Sequence, residues 1–209
     1  MKKLLLTMVL AAALLLPLGT IALADDETAN HETEAVYLYV AGNAPAQTEM
    51  SSMLPAVHGV LLAMDNQGTT SFTTAQDALS WEMLYNLLSM YGQMDDRAWF
   101  DEDILVLPAE AVMDYSSAIL PAPLSPDTLP EELSDRIRYD AESDTYRLYC
   151  GSDDLSQVVI DECVETTDSI SLSGRLVYLA EDETLCSFTA ELALCDNMFG
   201  YSLTQLSLA

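Results

Sequence analysis

The hydrophobic pattern of this chain changes period at one proline-rich turn, Pro121-Ala-Pro-Leu-Ser-Pro126. Ahead of the turn, apolar residues recur three and four positions apart; beyond it they alternate. Residues three and four apart share a face of a helix, and alternate residues share a face of a strand, so the chain predicts helices first and strands second. Segregation of this kind predicts an α+β domain, with about three N-terminal helices packed on one face of a curved antiparallel sheet of about five strands in a meander.

The first helix is predicted to begin near Ser52 or Pro55 and to carry Val57, Val60, Leu61 and Met64 on one face. Gly59 weakens it, and Asp65-Asn-Gln-Gly68 ends it. The second is predicted over residues 75–91, with Thr74 as its N-cap and Asp77 three residues on. Trp81, Leu84, Leu87, Leu88 and Tyr91 form its apolar stripe, and Gly92 closes it. The third starts at Pro108, buries Val112, Tyr115 and Ile119, and stops before Pro121. Between the last two lies the acidic stretch Asp95-Asp-Arg-Ala-Trp-Phe-Asp-Glu-Asp103. Trp99 and Phe100 are expected to pin this loop to the core, since large apolar side chains are usually buried. The alternative is an exposed aromatic contact.

Beyond the turn, residues 146–150, 157–164, 170–180, 185–195 and 201–208 read as strands joined by short turns; Val36-Tyr-Leu-Tyr-Val40 reads as a further short one. A three-residue loop Asp182-Glu-Thr184 would set Leu172 against Leu194, Gly174 against Leu192, Leu176 against Ala190 and Tyr178 against Phe188. That pairing makes one face wholly apolar and places Arg175 beside Glu191 on the other. It also places Cys186 and Cys195 on opposite faces, which argues against a disulfide between them.

Helices followed by a meander that ends in Phe199-Gly-Tyr201 resemble the element order of cystatin-like and nuclear-transport-factor-2-like cone folds. The tract Leu105-Val-Leu-Pro108, with Tyr139-Asp140 and Asp144-Thr-Tyr146, resembles uncharacterised secreted proteins of anaerobic Firmicutes. The resemblance implies a curved sheet with a concavity and a bacterial source, and it places no catalytic residue.

The compartment follows from the first residues. Lys2 and Lys3 precede an apolar run from Leu4 to Leu16, which Pro17 and Gly19 break. Ala22-Leu-Ala24 then offers a small-x-small cleavage site ahead of Asp25. The run is short for the ~20 residues that cross a bilayer, so an uncleaved anchor is the weaker reading. The chain is therefore expected to comprise a signal peptide (1–24), a disordered acidic tail (25–34) and a single domain (35–209). Within that domain the helical part is 50–120 and the sheet part 137–209.

After residue 24 there is no lysine, and five arginines stand against 34 carboxylates, a formal charge of −29. Phosphate backbones and anionic lipid surfaces repel such a chain, so neither nucleic acid nor a membrane is an expected partner. A solvated acidic surface of this kind favours a soluble monomer, whose partner would be a protein or small ligand.

Catalytic motifs are absent. The two histidines, His31 and His58, do not make an HExxH site, and the chain lacks G-x-S-x-G, P-loop and G-x-G-x-x-G patterns. His58 is expected to be a core-edge histidine satisfied by one hydrogen bond. Cys150, Cys163, Cys186 and Cys195 lie 13, 23 and 9 residues apart, without the close pairs of a zinc site, which leaves disulfides or buried thiols. The carboxylates of residues 95–103 lack the calcium-loop spacing and read as a solvated run.

No catalytic, cofactor-binding or metal-binding residue is assigned, and no cofactor is expected. The reading leans away from an enzyme, toward a secreted non-catalytic binding module. The alternatives are an extracellular carboxylate-dependent hydrolase and a divalent-cation-binding protein. Cleavage after Ala24 makes Asp25 the mature N-terminus, and the intact mass of exported protein will show it; a mass that retains residues 1–24 refutes the assignment.

Overall fold

Leu54-Pro-Ala-Val-His-Gly-Val-Leu-Leu-Ala-Met64 contains no carboxylate, lysine or arginine, and the chain coils it into α1 (Leu54–Gln67). The computed structural model describes residues 50–73, 79–150, 155–166 and 169–209, all within the compact unit Tyr37–Ala209. Pro55 sits in the first turn of α1, and Gly68, at φ 64°, closes the helix in the left-handed conformation. Leu54 to Leu61, with Ala63 and Met64, are buried, so far more than one stripe of α1 is covered. The second helix, α2 (Ser80–Tyr91), is as deeply enclosed, with Ser80 to Leu88 and Tyr91 buried. The proposed Thr74 cap and Asp77 lie outside the described residues.

A helix that is apolar nearly all round belongs inside a protein, between layers. Gly59 is what lets α1 and α2 approach: a Cβ there would stand 2.9 Å from the backbone nitrogen of Leu87. The residue that weakens the isolated helix thus makes the close helix crossing possible.

The remaining elements are β1 (Ser71–Thr73), β2 (Trp99–Asp101), β3 (Ile104–Pro108), α3 (Ala109–Ser116), β4 (Ile137–Asp140), β5 (Thr145–Tyr149), β6 (Ser156–Glu165), β7 (Ser169–Tyr178), β8 (Glu183–Leu194) and β9 (Tyr201–Leu208). They form a five-stranded sheet in the order β1-β9-β8-β7-β6 and a four-stranded sheet in the order β2-β3-β5-β4. Every strand pair is antiparallel. The class is α+β, and β6 to β9 make a meander of consecutive neighbours. Residues 146–150 leave that meander for the second sheet, which also takes β2 and β3 from the helical half.

The reason lies in Ile104-Leu-Val-Leu-Pro108. A short continuous apolar run has no period to read, and here it is a strand with Leu105, Val106 and Leu107 all buried. Pro108 ends that strand and leads into α3 one residue later. Val112, Tyr115 and Ile119 are buried as expected, Ile119 just beyond the helix. One continuous core joins the helices to both sheets. Among the described residues no helix is long and apolar enough to cross a membrane.

Between β7 and β8 the register differs by four residues from the predicted one. Ile170 faces Leu192, Leu172 faces Ala190, Gly174 faces Phe188 and Leu176 faces Cys186. An even displacement keeps every residue on its face, so the apolar pattern is satisfied equally by both pairings. The turn and the packing decide between them. The turn is Leu179-Ala-Glu-Asp182, with Asp182 at φ 53°, a conformation that Asp adopts more readily than most residues.

The ring of Phe188 occupies the space that Gly174 leaves open, where a Cβ would meet ring atom Cζ at 2.9 Å and also the Val159 carbonyl oxygen. A bulge after Leu176 then sets Tyr178 against Glu183, not Phe188. Arg175 faces Ser187 and binds Asp161 of β6 at 2.9 Å. Glu191 instead accepts the Ser171 hydroxyl.

Among the described residues no disulfide joins the four cysteines, of which Cys163 and Cys186 are half-buried and Cys150 and Cys195 exposed. Cys186 lies within β8 and Cys195 just past its end. An extended strand advances ~3.3 Å per residue, which separates them far beyond disulfide reach.

Gly174→Ala tests the Phe188 packing that selects the register. Its added methyl meets a ring and a backbone carbonyl, and overpacking of this kind costs about 1–3 kcal/mol. The expected result is a lower urea midpoint with an unchanged slope.

Candidate functional site

With 34 carboxylates in the chain, each arginine of the folded part has acids within reach. Arg97 binds Asp95 at 2.8 Å and Asp114 at 2.7 Å, Arg138 reaches Asp135 at 3.4 Å, and Arg147 binds Asp101 at 2.5 Å. The Arg138 and Arg147 pairs are largely exposed and contribute little to stability, whereas the Asp95 side chain is buried beneath Arg97.

The Arg136–Glu82 pair is different. Glu82 is buried, and both its oxygens accept from Arg136 at 3.2 Å. The guanidinium lies 4.9 Å from the centre of the Tyr85 ring, and Tyr85 donates its hydroxyl to the Tyr149 carbonyl at 2.8 Å. These contacts fix α2 against the four-stranded sheet.

Of the carboxylates in residues 95–103, Asp95 and Asp101 are taken up by arginines. Asp95 accepts from the Arg97 backbone and side chain, both at 2.9 Å, and that guanidinium holds its carboxyl below the usual carboxylate range. Asp101 goes to Arg147. Among the described residues, no three His, Cys, Asp or Glu side chains gather as a metal site would require.

His58 sits deeper than a core edge, at 3 % exposure, and makes two hydrogen bonds where one was expected. Its Nδ1 is 2.8 Å from the Tyr91 hydroxyl and its Nε2 is 2.9 Å from Ser156 Oγ. Burial pushes its pKa down to about 4, so the ring is neutral at neutral pH. Serine beside histidine suggests a nucleophile with its base, but Ser156 is itself buried and a substrate has no direct access to it. The trio ties α1 to α2 and to β6. Burial likewise pushes Tyr115 and Tyr146 up to about 12. A cavity beside Trp81, Leu84, Val112 and Tyr146 holds about 10 Å³, room for about one water.

The β2–β3 hairpin is where the structure departs most from expectation. Trp99 is 48 % exposed and Phe100 53 %, so neither ring pins the segment. β2 is the edge of its sheet. The core side of that sheet is filled by Leu105, Leu107, Ile137, Tyr146 and Leu148, all buried, and Phe100 lies at the outer end of their row. Trp99 points to the other face, in one row with Val106 and Arg147. Ile104 and the exposed Tyr149 form the next row with Asp101.

The hairpin turns through Glu102 and Asp103, with Glu102 at φ 57°. Asp96, Asp101, Glu102 and Asp103 are exposed around it. Carboxylates on both sides of the Trp-Phe pair were the signal for this exposure, because burying both rings would draw acids out of water with them.

The residues expected at the cleavage site, Ala22, Ala24 and Asp25, lie outside the described residues, as does His31. No protein-family model matches the chain, and no curated protein or solved structure is significantly similar to it.

The pH dependence of stability tests the enclosure of His58. Its ordinary pKa is 6.5 and its folded one is about 4, so between these values the unfolded chain binds a proton that the folded chain does not. The contribution is complete above pH 6.5 and falls as pH drops toward 4, by about 3 kcal/mol in all. Urea midpoints of the wild type and His58→Gln, compared from pH 7.5 to 4, should converge by that amount. A constant difference would mean that His58 titrates alike in the folded and unfolded chain and is not enclosed.

Proposed function

We propose that this is a secreted, non-catalytic binding module that meets its ligand at the β2–β3 hairpin. The observation that carries the reading is the exposure of Trp99 and Phe100 on consecutive residues of an edge strand, with Tyr149 exposed two strands away on the Trp99 face. Aromatic side chains bury 150–250 Å² each on contact and dominate the energetics of binding surfaces. The two rings stand on opposite faces of β2, so a partner at this edge would meet one on each side of the strand. The sequence supports the secreted part through Lys2, Lys3 and the Ala22-Leu-Ala24 site. The enclosure of His58 and Ser156 weighs against a serine nucleophile with a histidine base. The commitment of Asp95 and Asp101 to arginines weighs against the cation-binding alternative.

The test is the purified chain on peptide and glycan arrays, beside the double variant Trp99→Ala/Phe100→Ala. A ligand retained by the wild type and lost by the variant at an unchanged melting temperature is the expected outcome. Hydrolysis of an array component, abolished by one carboxylate substitution, would overturn the reading.

A further inference from the structure

We propose that the open edge of β2 accepts an added strand from a cationic partner, an extended peptide in which basic and apolar residues alternate. The inference rests on the binding-module reading and names the chemistry of the partner.

Backbone geometry comes first. Asp101 pairs with Ile104 across the Glu102-Asp103 turn, so these two exchange the hydrogen bonds that close the hairpin. Alternation then makes Phe100 and Leu105 a non-hydrogen-bonded pair, and the N–H and C=O of Phe100 point away from β3. β2 ends the strand order, so that donor and acceptor face outward along the sheet plane. Strand addition at such an edge is an established mode of peptide recognition.

Side chains supply the specificity. Successive residues of β2 point to opposite faces, with Phe100 on one side and Trp99 and Asp101 on the other. A guest residue opposite Phe100 shares the Phe100 face and meets its ring, so an apolar side chain suits it. The guest residues on either side share the other face, opposite Trp99 and Asp101. A cation opposite Trp99 lies over the indole, within the ~6 Å over which such rings attract it, while Asp101 is already held by Arg147.

The turn adds Glu102 and Asp103, which with Asp96 are exposed and have no ion pair among the described residues. The formal charge of −27 draws a basic partner and repels a second copy of the chain. The chain's own alternating segment, Arg136-Ile-Arg138-Tyr139, is taken up at β4, where Ile137 to Asp140 pair with β5. One outward pair of backbone groups implies a modest affinity, micromolar to millimolar, that weakens as salt is added.

The test uses a dye-labelled, end-capped peptide, Lys-Val-Lys-Val-Lys-Val-Lys, titrated with the full chain and followed by fluorescence anisotropy. Binding is expected to drop about tenfold with Trp99→Ala or Phe100→Ala at an unchanged melting temperature. It should vanish when glutamate replaces lysine. N-methylation of the valine amides, which face β2 in this register, should abolish binding, and N-methylation of the lysine amides should leave it intact.

Equal binding by both methylated peptides, or by the glutamate peptide, overturns the inference. If an array ligand is still lost with Trp99→Ala/Phe100→Ala while the lysine–valine peptide fails to bind, this inference falls and the binding-module reading stands. Absence of any array ligand overturns both. Dimerisation in sedimentation that Phe100→Ala abolishes and the peptide does not compete with assigns the edge to a second copy and overturns the proposal.

Discussion

The structure depends on a pair of helices enclosed on nearly every side. α1 and α2 meet at Gly59, where no side chain separates the backbones, and each then turns to a different sheet. α1 reaches β6 through His58 and Ser156, and α2 reaches β4 and β5 through Glu82 with Arg136 and Tyr85 with Tyr149. Every polar group on such helices has to find a partner inside the protein, because an unpaired one would cost about 1–3 kcal/mol. Asn86 accordingly donates toward the Gly59 carbonyl, and the Trp81 indole donates to Thr128. Among the described residues the only buried side-chain polar atom left without a partner is Thr69 Oγ1. The polar contacts of the core are therefore also the ties between its layers.

With the helices turned toward both sheets, the other face of each sheet is free to differ. The outer face of the five-stranded sheet carries Ser171, Ser173, Ser187 and Thr189 around the Arg175–Asp161 pair, together with Val159, Val164 and Val177. That is how an antiparallel sheet ordinarily meets water. The free face of the four-stranded sheet carries Trp99, Ile104 and Tyr149, large apolar groups with carboxylates at their border. Val106, the cross-strand neighbour of Trp99 on this face, is buried although it lies outside the central core. The contrast between the two faces is what directs attention to the hairpin.

Much of the architecture is legible in the chain, and the illegible parts share one cause. Val57, Val60, Leu61 and Met64 announce α1 by spacing, and the missing charges from Leu54 to Met64 also announce its enclosure. Residues 104–108 announce nothing, because a five-residue apolar run suits a buried strand and a buried helical turn alike. Trp99 and Phe100 were assigned inward on residue type alone. The burial of Phe100 depends on whether the helices extend over the end of the Leu105–Leu148 row, and that of Trp99 on what covers the opposite face; no local pattern encodes either.

What the sequence determined by itself is everything that depends on period, charge and turn chemistry: the helix-to-strand order, the antiparallel meander, the acidic surface and the apolar face of β7 and β8. Tertiary structure decided the quantities that such patterns leave degenerate. The β7–β8 register is the plainest case, since two pairings four residues apart bury the same face. The ring of Phe188 over Gly174 and the left-handed Asp182 separate them. Division of the strands into two sheets, the double hydrogen bonding of His58 and the exposure of Trp99 and Phe100 belong to the same kind. Each depends on contacts between residues distant in the chain, whose meeting is set by packing and not by any local preference.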